Sequence, residues 1–187
     1  MKLQSTEGHG ITSDRITKIP FNEEMIREAQ KWAKDLGSLR NSITKGKANT
    51  AARVAELALA KYWGTTPTDN YNHDLFYKDQ RIELKTKRRT VKPKEDYDVS
   101  VAESSYHQKP DRYCFVSIEF DRTEGKGSDK KYYDIKNIWY CGDISREDFE
   151  SKSEYWEKGR VDESNGFTTH EAMHNLPISQ LESTLIN

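Results

Sequence analysis

The stretch YNHDLFYKDQRIELKTKRR, residues 71–89, decides how this chain is read. Its two halves, DLFY and RIELKTK, alternate apolar and polar residues across the short polar break KDQ, which predicts a β-hairpin. A tight turn that sets Lys78 against Arg81 would set Phe76 against Glu83 and Asp74 against Lys85, all four on one face. Asp74 and Glu83 would then be diagonal neighbours, roughly 7 to 8 Å apart at the backbone. Leu75, Ile82 and Leu84 would point the opposite way, into a core. Two carboxylates held together repel, and each is stabilised by a proton or by a shared cation. Mg2+ prefers hard oxygen donors and keeps several waters, so two carboxylates, a strand carbonyl and a phosphate suit it, with Mn2+ as a substitute. Lys85, one step along the same face, is placed to orient a water and to neutralise charge on a phosphate. Such a set is suited to phosphodiester cleavage.

Upstream, PFNEEMIREAQKWAKDLG (20–37) carries Met25, Ile26, Ala29, Ala33 and Leu36 at helical spacing, with Asn22 as cap and Gly37 as stop. Residues 1–20 read as loosely structured. After the connector SLRNSITKGK, ANTAARVAELALAKYWG (48–64) predicts a second helix, capped by Asn49 or Thr50 and ended by Gly64. It is apolar on most sides and therefore expected to be buried. Downstream, YDVSVA, RYCFVSIEF and YYDIKNIWYCG read as strands, RYCFVSIEF as the central one. SREDFESKSEYWEKG (145–159) predicts a third helix, with Ser145 and Asp148 placed like a capping box. No repeat interrupts this order, so helices flanking a mostly mixed sheet are expected.

The length of 187 residues fits one domain, 1–187, and 4 Trp, 10 Tyr and 6 Phe can fill a modest core in a chain that is 33% charged. No apolar run is long enough to span a bilayer and no signal-peptide segment opens the chain, so no membrane partner and a cytoplasmic, intracellular location are expected. Cys114 and Cys141 lack any paired spacing and read as reduced core thiols. The net charge of −1 is unevenly spread: KTKRRTVKPK (85–94) holds six bases and no acid, whereas residues 143–187 hold ten acids against four bases. A basic strip on an acidic body suits a polyanion, although a solvated basic loop would look the same.

Asp74, eight intervening residues, and the triplet Glu83-Leu84-Lys85 resemble the core pattern of the PD-(D/E)xK phosphodiesterase superfamily of restriction-endonuclease-like nucleases. The proline usual before the first acid is absent, His73 standing in its place. The resemblance covers roughly Lys47 to Phe120. It implies an α/β restriction-endonuclease-like core at about 47–140 with a central mixed sheet of about four to five strands, preceded by a helix at 22–36 and followed by a helical extension at 145–187. It also implies Asp74, Glu83 and the Leu84 carbonyl as metal ligands, Lys85 as the catalytic lysine, and Mg2+ as cofactor. The glutamate often found on the helix before the hairpin matches Glu56, the one acid between Ala51 and Trp63, on a stripe with Ala52, Leu59, Ala60 and Trp63. An ion pair with Arg53 is the simpler account of Glu56. The family's later glutamine or lysine matches Gln108, which could equally be a polar loop residue. Lys87, Arg88, Arg89, Lys92 and Lys94, joined by Lys45 and Lys47 ahead of the second helix, are the expected phosphate contacts. His73 either assists at the metal or caps the strand. The segment EKGRVDESNGFTTHEAMHNLPISQLE, 157–182, loosely resembles small phage-type nucleases with this core.

A rival motif is HEAMH, His170 to His174, the H-E-x-x-H pattern of zinc peptidases. Pro177 follows three residues after it, and no apolar helix leads into it. The expectation is therefore a metal-dependent endonuclease acting on DNA, either restriction-like or junction-resolving. A homodimer would supply one site per strand. The alternatives are a nucleic-acid-binding protein that does not cut and, remotely, a zinc peptidase.

Overall fold

The computed structural model describes residues 15–39, 47–70 and 72–186, and Lys45 lies outside them. A short strand β1 (Thr17–Ile19) precedes two helices, α1 (Glu23–Leu39) and α2 (Lys47–Trp63). β2 (Leu75–Tyr77), β3 (Gln80–Arg89), β4 (Asp98–Ala102), β5 (Arg112–Glu124) and β6 (Lys131–Ser145) follow. The chain closes with α3 (Arg146–Lys152), β7 (Glu154–Trp156), β8 (Val161–Asp162), β9 (Phe167–Thr168) and β10 (Met173–Pro177).

The protein is mixed α/β. Five strands form one sheet in the order β1-β6-β5-β3-β2, in which β3 and β5 run parallel and the other neighbours antiparallel. β5 is central, and Arg112 to Phe120 along it are all buried, as the unbroken run RYCFVSIEF predicts for a strand covered on both faces. Its alternate residues enter two cores. Cys114, Val116 and Ile118 pack with Leu75, Ile82, Leu84 and the α2 residues Val54, Ala55 and Leu59 on one face. Tyr113 and Phe115 pack with Val99, Val101, Ile144, Phe149 and Leu176 on the other. Both cysteines are free and buried.

The helix starts and stops follow from local chemistry. Asn22 caps α1, its Oδ1 accepting from the Met25 N–H at 3.0 Å, and α1 runs through Gly37 to Leu39. α2 begins at Lys47, so neither Asn49 nor Thr50 caps it. It ends as expected: Gly64 has φ +69, its N–H bonds to the Lys61 carbonyl and the Thr65 N–H to that of Ala60, the Schellman pattern.

Three expectations need correction. Part of the stretch read as loosely structured is β1, whose Ile19 is fully buried and which pairs with β6. The third helix stops at Lys152 although Ser145 caps it through the Asp148 N–H, because Glu154–Trp156 leaves to pair with β10. The segment expected to continue as a helical extension is instead strands: β10 lies between β4 and β7 in a second sheet, and β8 pairs with β9. One face of the main sheet is thus covered by α1 and α2, the other by α3 and the second sheet.

Candidate functional site

The hairpin turn consists of Lys78 and Asp79, with φ of +51° and +59°, and Tyr77 faces Gln80. That register is two residues away from the expected pairing. Phe76 faces Arg81 and not Glu83, and Leu75 faces Ile82; just before the ladder begins, the Asp74 N–H donates to the Ile82 carbonyl at 3.0 Å, well short of Lys85. A two-residue shift preserves the faces, since side chains alternate with period two. Asp74, at the mouth of the hairpin, is near enough to Glu83 for its charge to push the Glu83 pKa up.

β2 breaks off at Asp74, and the sequence there explains how the carboxylate turns toward β3. The His73 carbonyl is occupied by Thr68 Oγ1 at 2.9 Å, so it does not continue the ladder. Asp74 Oδ2 takes its place and accepts from the Leu84 N–H at 2.7 Å. On β3, Glu83 and Lys85 point to the face opposite α1 and α2, beside Tyr113 and Phe115 of β5. Lys85 Nζ donates to Glu83 Oε1 at 2.8 Å and to Gln108 Oε1 at 3.2 Å, so Gln108 reaches the site from the turn after Glu103–Ser105 and not from a helix.

Glu83 is only 5% exposed, and its second oxygen, Oε2, has no hydrogen-bond donor. The Asp74 carboxylate can serve as its partner only while one of the two holds a proton. Burial first, and then the Asp74 charge, push the Glu83 pKa up, with Lys85 opposing; burial likewise raises Asp74. Glu56 on α2 completes the acidic group. It is ion-paired to Arg53 at 2.8 Å, as the simpler reading held, and Arg53 also reaches Asp69 at 3.4 Å and stacks over Trp32. Burial, followed by the charge of Asp74 and with a lesser part from Glu83, still moves its pKa to about 7.

The basic residues divide between environments. Successive residues of β3 face opposite ways, so Lys87 and Arg89 share the face of Lys85 while Arg88 lies on the other, over the Tyr132 ring. Lys87 Nζ donates to the Asp98 carbonyl at 3.2 Å, and burial, followed by the nearby Arg89 charge, lowers its pKa to about 8. Arg89 is turned inward, donating to Ser117 Oγ at 3.2 Å and the Asp98 carbonyl at 3.0 Å. Lys92 sits over Trp139 and Lys94 is exposed. Lys47 opens α2. The ring nitrogen Nδ1 of His73 is buried without a partner beside Asp74.

HEAMH is not a helix. His170 and Glu171 lie in a bend and His174 in β10, where its Nε2 contacts Glu103 Oε2 at 2.5 Å and its ring stacks on Tyr106, so the two histidines do not form a helical zinc pair. Among the described residues, no group of three or more His, Cys, Asp or Glu is placed to hold a metal ion. Asp74 and Glu83 supply two carboxylates, and the undonated Glu83 Oε2 fits the need of a hard cation that keeps most of its waters.

Sequence reasoning missed the link from Arg53 on to Asp69 and the second sheet that roofs Lys85. A cavity of about 150 Å³ lies there, lined by Lys85 and Lys87 together with Ser100, Phe115, Phe167 and Met173. No local signal marks these last four, because β4, β5, β9 and β10 meet only on folding. No helix among the described residues is long and apolar enough to cross a membrane. Comparison with protein-family models, curated proteins and solved structures returns no match.

Proposed function

We propose that the chain is a metal-dependent nuclease that hydrolyses phosphodiester bonds in DNA, built on a restriction-endonuclease-like core. The observation that carries this reading is the proximity of the buried Asp74 and Glu83 carboxylates, with Glu83 Oε2 lacking a donor and Lys85 Nζ held between Glu83 and Gln108. Asp74, Glu83 and the Leu84 carbonyl would hold Mg2+ or Mn2+. When bound, the cation supplies Lewis acidity and offsets phosphate charge. The rest is done by the chain. Gln108 and Glu83 fix the Lys85 ammonium, which orients water and donates to a phosphate oxygen. Glu56, braced by Arg53, adds negative charge that strengthens cation retention. Lys87, Arg88, Lys92 and Lys94 are the flanking phosphate contacts, while Arg89 positions β3 against β5.

The test is supercoiled plasmid incubated with Mg2+ or Mn2+, then with EDTA. Nicking that requires the cation is expected, and Lys85→Ala or Asp74→Ala should abolish it, with the fold and the retention of DNA intact. Asp74→Asn is the companion variant because it leaves an acceptor for the Leu84 N–H. Unchanged cutting by Lys85→Ala would end the assignment. A second reading, a nucleic-acid-binding protein that does not cut, draws on the lack of a three-residue metal group among the described residues. A gel shift insensitive to EDTA, without nicking, would select it.

A further inference from the structure

The cavity beside Lys85 has an apolar lining, from Val99, Phe115, Phe167 and Met173, that the cleavage chemistry does not use. Lys85 lies on its border, so the cavity opens from the same face as Glu83, one strand step further along β3. Its walls are apolar, from Val99, Phe115 and Met173. Its volume of about 150 Å³ equals that of apolar cavities known to admit one benzene ring. A single six-membered ring therefore fits. Phe167 lines the cavity yet is 47% exposed, which places its ring at the rim, where it meets the His170 ring edge-on. Two of its polar groups, Lys87 and Ser100, adjoin one another. Lys87 Nζ donates to the Asp98 carbonyl and, at 3.5 Å, approaches Ser100 Oγ; an ammonium has three protons, so one is left for a ring carbonyl. Ser100 in turn donates to Asn175 Oδ1 at 2.6 Å and keeps a lone pair for a ring N–H.

We propose that this cavity receives one unstacked pyrimidine base of the nucleic-acid substrate, next to the phosphate held at Asp74, Glu83 and Lys85. The inference rests on the nuclease reading for its substrate, and on the cavity alone for its occupant. An aromatic rim beside cationic groups is how single-stranded bases are gripped without a duplex. The substrate at this position is accordingly single-stranded or locally opened, since a paired base could not enter a cavity roofed by a second sheet.

The test uses the whole chain in EDTA, so that cutting plays no part, with the tetranucleotide of thymidine against that of deoxyadenosine. Methyl-labelled methionine gives the readout: Met173 lines the cavity, while Met25, on the buried side of α1, is the internal control. The thymidine oligomer should shift the Met173 methyl saturably, leave Met25 unmoved, and bind at least fivefold tighter than the deoxyadenosine oligomer. Phe167→Ala, at an exposed position the fold tolerates, should weaken thymidine binding at least threefold. An unmoved Met173, or equal binding of both oligomers, overturns the proposal. The two readings fail separately: a Met173 shift without plasmid nicking removes the nuclease and leaves the base site, and nicking with Met173 unmoved does the reverse.

Discussion

Glu83 carries a conflict between stability and use. Its carboxylate is buried against Asp74, one oxygen has no donor, and only Lys85 offsets its charge. Glu83→Gln removes the repulsion and keeps the shape, so without divalent cation at pH 8 it should be more stable than the native chain by about 1 to 2 kcal/mol. Adding Mg2+ should stabilise the native chain and not the variant, which urea titration with and without the cation will read. Glu56 gives a pH signature. Its pKa rises from the ordinary 4.5 to about 7, so over that interval the folded state holds a proton that the unfolded state has lost. The stability this provides is full below about pH 4.5 and is lost as pH rises through 7, a total on the order of 3 kcal/mol. Glu56→Gln should therefore show a flatter stability profile between pH 5 and 8. An unchanged slope in denaturant midpoints would mean that Glu56 does not titrate there.

At the scale of elements, the β2–β3 turn sets the register on which the acidic pair depends. Both of its central residues have positive φ, which a two-residue hairpin turn requires and which Asn and Gly adopt most easily. Asp79→Gly should stabilise the protein by roughly 0.5 to 1 kcal/mol in thermal unfolding, without changing cation binding. Lys78 is best left alone, since its Nζ donates to the Thr184 carbonyl at 2.8 Å. The same turn shows where legibility ended. Period-two alternation gave the hairpin, its buried face and the shared face of Glu83 and Lys85. It did not give the register, because YKDQ has no Asn-Gly or Gly to mark which two residues turn. α3 failed for a different reason: its cap and its buried Phe149 were readable, but what ends it is the pairing of Trp156 with Met173, seventeen positions away in the chain. HEAMH resembled a helical motif only until β10 claimed His174 for a sheet. Glu56 was found because a lone acid on an apolar helix stripe is costly, and Gln108 through the family resemblance alone; the roof over Lys85 had no comparable local mark.

For the molecule as a whole, the C-terminal tail fastens the two faces of the sheet together. Asp143, fully buried on β6, accepts from Arg112 Nε at 2.5 Å, from the hydroxyls of Tyr140 and Thr184, and from the Leu185 N–H at 3.1 Å. Its backbone pairs with Glu182 in both directions, at 2.9 and 2.8 Å, and Glu182 also pairs with Arg112. Leu181 enters one core and Leu185 the other, so the tail crosses the end of the sheet and seals both. Gly142 makes room for that crossing: it has φ +139, and a Cβ there would lie 2.6 Å from Leu181 Cβ and 2.8 Å from the Glu182 carbonyl oxygen. Asp143→Ala strands Arg112 with one partner fewer and leaves three donors unmet, the kind of break that costs about 3 to 5 kcal/mol. For a domain of this size that is a fall in Tm on the order of 10 °C. The loss should begin in the tail: by hydrogen exchange, the amides of Glu182 and Leu185, protected in the native chain by their bonds to Asp143, should become fast in Asp143→Ala, while Val116 at the centre of β5 stays slow. Since Thr184 is also the anchor of Lys78 in the hairpin turn, release of the tail should reach the site too, weakening cation binding in proportion to the fraction of molecules with the tail open. If Val116 and Leu185 accelerate equally, the tail is not a separate unit, and the clasp is part of one cooperative core.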